Sequence, residues 1–120
     1  MGNTTESLSS ALEIEGAIGV AIGDYGSGMC LGTAGDPNFD LETAIAANTE
    51  VIRAKNIAIQ QLQITGGIQD ILITLDQQYH LIRLVNSAGS IFIYLVLDRR
   101  KANLAMARHK LAVIESELAI

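Results

Sequence analysis

Few residues in this chain are of a type that could do chemistry: one thiol, two imidazoles, several carboxylates and one glycine-rich turn. Cys30 is the only cysteine. A reactive thiolate needs a base or a positive charge beside it, and Ser27-Gly28-Met29-Cys30-Leu31-Gly32 offers neither, so Cys30 reads as a packed, inert thiol. With one cysteine no intrachain disulfide can form, which suits a reducing compartment. His80 and His109 have no metal-ligand spacing to each other or to Cys30. Each reads as packing or surface, and no metal or cofactor is expected. Asp24, Asp76 and Asp98 fall at turns or caps, where a carboxylate satisfies backbone N–H groups. An acid/base role would need a cleft and a perturbing partner, and no catalytic residue is assigned.

Gly26-Ser27-Gly28 with Gly32 faintly resembles a phosphate-cradling loop. Such loops open onto a helix N-terminus, and the Walker type ends in Gly-Lys-Ser/Thr. Here a strand pattern follows and no Lys is present, so a hairpin turn is expected. Arg99-Arg100-Lys101 is the one locally basic run. At the start of the last helix these cations would oppose the macrodipole, with Asp98 offsetting part of the effect. The run reads either as a solvated first turn or as a contact for an acidic partner.

The elements that hold these residues follow from periodicity. The 120 residues fit one domain spanning 1–120, and 49% hydrophobic with 18% charged residues indicates a globular chain. The longest apolar run, Ile91 to Leu97, is far shorter than the roughly 20 residues a bilayer-spanning helix takes. Met-Gly-Asn-Thr-Thr-Glu-Ser lacks the basic region and apolar core of a signal peptide, so a cytoplasmic location is expected. Net charge is −5, with two bases against eight acids in residues 1–60 and six against five in 61–120. An acidic chain is a poor candidate for nucleic acid, whose phosphates demand a basic patch.

Thr4 or Thr5 is expected to cap a short helix over Glu6 to Leu12. Strands follow at Ala17–Ile22 and Met29–Ala34, joined by the Asp24–Gly28 turn. Asp36 with Pro37, or Asp40, can cap a helix from about Leu41 to Leu62. Three strands come next, Gln69–Leu75, Tyr79–Leu84 and Ile91–Leu97, and a last helix runs from about Arg99 to Leu118. Ile91, Ile93, Leu95 and Leu97 point one way and Phe92, Tyr94 and Val96 the other. A strand apolar on both faces must be covered on both. The prediction is an α+β three-layer sandwich: one mostly antiparallel five-stranded sheet, the central helix on one face, the N- and C-terminal helices on the other.

The central helix has two apolar stripes. Leu41, Ile45, Asn48, Ile52 and Ile59 form one. Ala44, Ala47, Val51, Ala54 and Ala58, spaced three, four, three, four, form the other, a seam of small residues like that of a helix pair. One stripe can lie on the sheet; the other predicts pairing with the same helix of a second copy. The plainer alternative is that Ala supplies helix propensity on a broad buried face.

The layout helix, hairpin, helix, three-stranded meander, helix resembles the Roadblock/dynein-light-chain proteins, especially their bacterial members. The resemblance rests on Gly16-Ala17-Ile18-Gly19-Val20-Ala21, the Ser27-Gly28-Met29 turn and Asn48-Thr49-Glu50-Val51-Ile52-Arg53-Ala54-Lys55. It continues through Asp70-Ile71-Leu72-Ile73-Thr74-Leu75, Tyr79-His80-Leu81-Ile82-Arg83, Tyr94-Leu95-Val96-Leu97-Asp98-Arg99 and Ala102-Asn103-Leu104-Ala105. It implies a non-enzymatic protein that dimerises through the central helix and the third strand, joining two sheets into one. It further implies a scaffold or regulator for a Ras-like small GTPase. On that resemblance the homodimer surface comprises Ala44, Ala47, Val51, Ala54 and Ala58 with Ile71, Ile73 and Leu75. Arg99, Arg100 and Lys101 are candidates for partner binding. The alternative is a small-ligand sensor with a pocket between helix and sheet. Only five aromatic residues and no polar cluster in the expected core argue against it.

Overall fold

The computed structural model describes residues 2–120. Its elements are α1 (Thr4–Leu12), β1 (Ala17–Asp24), β2 (Met29–Gly35), α2 (Leu41–Gln61), β3 (Asp70–Thr74), β4 (Gln78–Leu84), β5 (Ile91–Asp98) and α3 (Leu104–Glu117). The sheet order is β2-β1-β5-β4-β3, and every neighbouring pair is antiparallel. The most apolar strand, β5, takes the centre, where both faces are covered.

Two cores lie on the two faces of the sheet. Leu41, Ile45 and Ile52 of α2 pack on Ala21, Ile82, Phe92, Tyr94 and Val96. Leu8 and Ala11 of α1 and Ala107 and Leu111 of α3 pack on Val20, Ile22, Leu81, Ile93, Leu95 and Leu97. The three-layer expectation holds. Gly23 lets α2 come close: a Cβ there would lie 2.7 Å from Cγ2 of Ile45. Gly35 ends β2 at φ +123°, where a Cβ would meet Ile18 O at 2.5 Å, so only glycine fits both the backbone angle and the space.

Helix starts differ from the sequence reading in two places. Helix α1 begins at Thr4 with Asn3 as N-cap and no side-chain cap, so neither Thr4 nor Thr5 caps it. Asn3 instead holds the other terminus: its Nδ2 donates to Glu117 O at 2.8 Å and its Oδ1 accepts from Ala119 N at 2.7 Å. Helix α3 begins at Leu104, not Arg99, because Asn103 caps it by accepting from Met106 N at 3.1 Å. Arg99, Arg100 and Lys101 therefore form a turn before the helix, and the macrodipole argument does not apply to them. Of the two caps considered for α2, Asp40 is the one used, accepting from Thr43 N at 3.0 Å.

Candidate functional site

The two stripes of α2 have different fates. Leu41, Ile45, Asn48 and Ile52 are buried on the sheet. On the other stripe Ala47 and Ala54 are exposed, Ala44 and Ala58 half-buried, and Val51 is 39% exposed. The chain itself leaves this stripe uncovered, so the plainer reading of one broad buried face fails.

Beside the open stripe lies the free edge of the sheet. β3 pairs with β4 alone. Gln69 O accepts from Leu84 N and Leu75 N donates to Gln78 O, in register with Ile71↔Ile82 and Ile73↔His80. Backbone groups alternate in direction along an antiparallel strand, so those of Asp70, Leu72 and Thr74 point outward, unpaired. The side chain of Ile71 packs on the α2 side of the sheet, and Ile73, two residues on, shares that face. A groove of about 440 Å³ lined by Val51, Lys55, Ile68, Gln69, Asp70 and Ile71 joins helix stripe to strand edge.

Val51 and Ile71 of the expected surface thus line one groove, and Leu75 is not among its lining residues. It lies beyond the end of β3. Its N–H goes to Gln78 and its carbonyl accepts from Arg99 Nη1 at 2.9 Å. Conversely, Leu62 and Ile64, 66% and 56% exposed, extend the apolar surface beyond the end of α2. Leu62 follows Ala58 by four residues, and the seam's own spacing carried that signal.

The basic run does not act as a unit. The Arg99 guanidinium grips Leu75 O and stacks 5.1 Å from the Tyr79 ring centroid. Arg100 is 80% exposed, its Nε 3.8 Å from Asp98 Oδ1, and Lys101 is exposed. Asp98 also accepts from Arg100 N at 3.0 Å, so this carboxylate orders the turn.

The core contains a polar set that the sequence reading did not expect. His80 Nε2 lies 2.8 Å from Gln78 Oε1 and His80 Nδ1 lies 3.0 Å from the Tyr94 hydroxyl. A carboxamide oxygen only accepts, so Nε2 donates to Gln78, while Nδ1 and the Tyr94 hydroxyl share the second hydrogen bond. Burial pushes the His80 pKa down. Burial pushes Tyr94 up to about 12, partly offset by a hydrogen bond from Asn48. Asn48 Nδ2 also donates to Ala44 O at 2.8 Å. Among the described residues no buried side-chain polar atom lacks a partner, so the buried members of the set are satisfied within the chain. The neighbouring groove over Thr33–Glu42 is open to solvent.

The other candidate groups occupy structural positions. Burial raises the pKa of the half-buried Cys30 thiol, which suppresses the thiolate. Asp24 accepts from Ser90 Oγ and, at 2.8 Å, from Gly26 N, and these bonds lower its pKa. Arg53 reaches from α2 to donate to Tyr25 O and Gly26 O, both at 3.0 Å. Gly26-Ser27-Gly28 is a hairpin turn clamped by an arginine, with no helix opening behind it. Among the described residues no group of three or more His, Cys, Asp and Glu could hold a metal ion, and no helix is long and apolar enough to cross a membrane.

No protein-family model matches the sequence, nor does any curated protein. Solved structures do match in shape. A Roadblock/LC7 domain from Streptomyces avermitilis superposes with a TM-score of 0.82 at 9% identity, covering 97% of this chain and 93% of that one. MglB from Myxococcus xanthus gives 0.77 at 15% identity over 93% and 85% of the two chains. An MglB in a tetrameric arrangement gives 0.76 at 18% over 95% and 88%. These superpositions over nearly the whole chain show that it has the Roadblock/LC7 fold.

Proposed function

We propose that this protein is a non-enzymatic homodimeric scaffold or regulator that acts in the cytoplasm beside a Ras-like small GTPase. One observation carries the proposal: the open stripe of α2 and the unpaired edge of β3 meet at a groove lined by Val51 and Ile71, and the chain itself leaves both exposed. An edge strand as apolar as Ile71-Leu72-Ile73 is an aggregation hazard unless it is paired. A two-fold partner supplies both a strand for the edge and a seam for the helix, each residue near its symmetry mate. Val51, Ala54 and Ile71 sit in that contact; Leu75 lies at its rim. The GTPase assignment rests on the sequence resemblance to bacterial Roadblock proteins and on the shape shared with MglB. Arg100 and Lys101, both exposed, are the part of the basic turn open to an acidic partner.

Ala54→Arg places two like charges in the closely packed seam. Sedimentation is expected to give a lighter species for the variant than for the native protein. Capture of a small GTPase from native lysate is expected to change between a GTP analogue and GDP, because GTPase switch segments reorder with the γ-phosphate. A native chain that stays monomeric at high micromolar concentration overturns the dimer, and nucleotide-indifferent capture overturns the GTPase reading.

A further inference from the structure

The opposite face of the sheet carries a second unpartnered surface, on α3. A stripe on its flank toward α1 is Met106, Lys110, Val113 and Glu117, spaced four, three, four, and Ile120 lies beyond the helix, after Leu118 has left helical geometry. Met106, Val113 and Ile120 are 50%, 43% and 59% exposed. The stripe borders a groove of about 510 Å³ between α1 and α3, floored by Ile14 and Ile114. On the stripe Lys110 and Glu117 stand one heptad apart, roughly 10 Å at 1.5 Å per residue, with Val113 and Ile114 between them, and Glu13 and His109 line the same groove. Among the described residues neither Lys110 nor Glu117 makes an ion pair, whereas Arg53, Arg83, Arg100 and Arg108 all do.

We propose that α3 is a second self-association surface, pairing antiparallel about a two-fold axis near Val113 with α3 of another copy. Such an axis sets Lys110 against the partner's Glu117 and the reverse, and it buries Val113 on its own mate. A parallel arrangement would oppose like charges, so the charge order selects the antiparallel register. Exposed ion pairs add little stability; here they set orientation while the apolar residues between them supply the burial. The occupant is a second copy because the stripe is complementary to itself when reversed. Since α2 and α3 cover opposite faces of the sheet, this contact and the proposed α2–β3 dimer can form together, building pairs of dimers or longer assemblies.

Charge reversal of the full chain tests this. Native protein at high micromolar concentration is expected to sediment at four chains or more. Lys110→Glu and Glu117→Lys each put like charges face to face and are expected to reduce the mass to two chains. The double variant Lys110→Glu/Glu117→Lys is expected to restore the native mass, as is a mixture of the two singles. Both positions are exposed, so unchanged thermal melting is the folding control. Ala54→Arg separates the two contacts: it is expected to leave two chains joined through α3. A native mass of two chains with monomeric Ala54→Arg overturns the α3 contact and leaves the α2–β3 dimer standing. A double variant that stays at the mass of the singles also overturns it. Two chains for both native and Ala54→Arg protein, falling to one with Lys110→Glu, keeps the α3 contact and removes the α2–β3 dimer instead.

Discussion

The two edges of the sheet are built differently. β2 carries Gly32 and Gly35, and its register with β1 slips between Ile22 and Gly23. α1 and α2 lie along it: a Cβ on Gly32 would lie 2.9 Å from Leu8 Cδ1, and Cys30 packs against the α2-side core. β3 has no glycine and no bulge, only Asp-Ile-Leu-Ile-Thr in unbroken register with β4. Bulges, glycines and covering helices are how an edge is kept from pairing. Their presence on β2 and absence on β3 leave β3 as the unprotected edge.

The sharpest way to break the comparison uses two threonines. The outward N–H groups include that of Thr74 on β3. On β2 the bond Asp36 N to Ile18 O fixes the alternation and turns the N–H of Thr33 outward too. Proline at either position removes only an outward donor, which an edge strand tolerates. Thr74→Pro is expected to halve the sedimenting mass of a protein assembled through this edge, and Thr33→Pro to leave it unchanged. Equal effects at both edges would refute the distinction. Amide exchange should agree, slow at Leu72 and Thr74 and fast at Thr33.

A smaller effect separates the two stripes of α2. Ile45 is fully buried beside Gly23, so Ile45→Ala leaves a cavity and should cost about 2–5 kcal/mol in urea unfolding. Val51→Ala on the open stripe should change stability mainly through association, with a concentration-dependent midpoint. A midpoint independent of protein concentration in both would show that the open stripe has no partner.

The smallest effect concerns pH. His80 sits on β4 opposite Ile73 of β3, and its folded pKa is depressed below 6.5 by burial. Below about 6.5 the unfolded chain then binds more protons than the folded one, so stability falls as pH drops toward the folded pKa and is flat above 6.5. Thermal melts between pH 5 and 8 should show this slope in native protein and a shallower one in His80→Gln. An identical slope in both would place the titrating group elsewhere.

Much of this protein was legible in its residues because the signals are local. Alternation along Ile91–Leu97 demanded cover on both faces, and that alone implied three layers. The three-four spacing of α2 exposed two stripes, and small residues marked the one left open. Where the chain turns, competition between nearby caps decided matters that periodicity could not. Asn103 rather than Asp98 starts α3, since its side chain reaches the Met106 amide, and this takes Arg99, Arg100 and Lys101 off the helix. Other features needed the tertiary structure because their partners are far apart in sequence. The order β2-β1-β5-β4-β3 leaves β3 at the edge. Cross-strand register sets His80 beside Tyr94, and the docking of α2 brings Asn48 to the Tyr94 hydroxyl. Arg99 bends back onto Leu75 and Tyr79 across the β3–β4 turn. Side-chain periodicity determines which faces are apolar; only the packing of distant segments decides which of those faces the chain covers itself and which it leaves for another molecule.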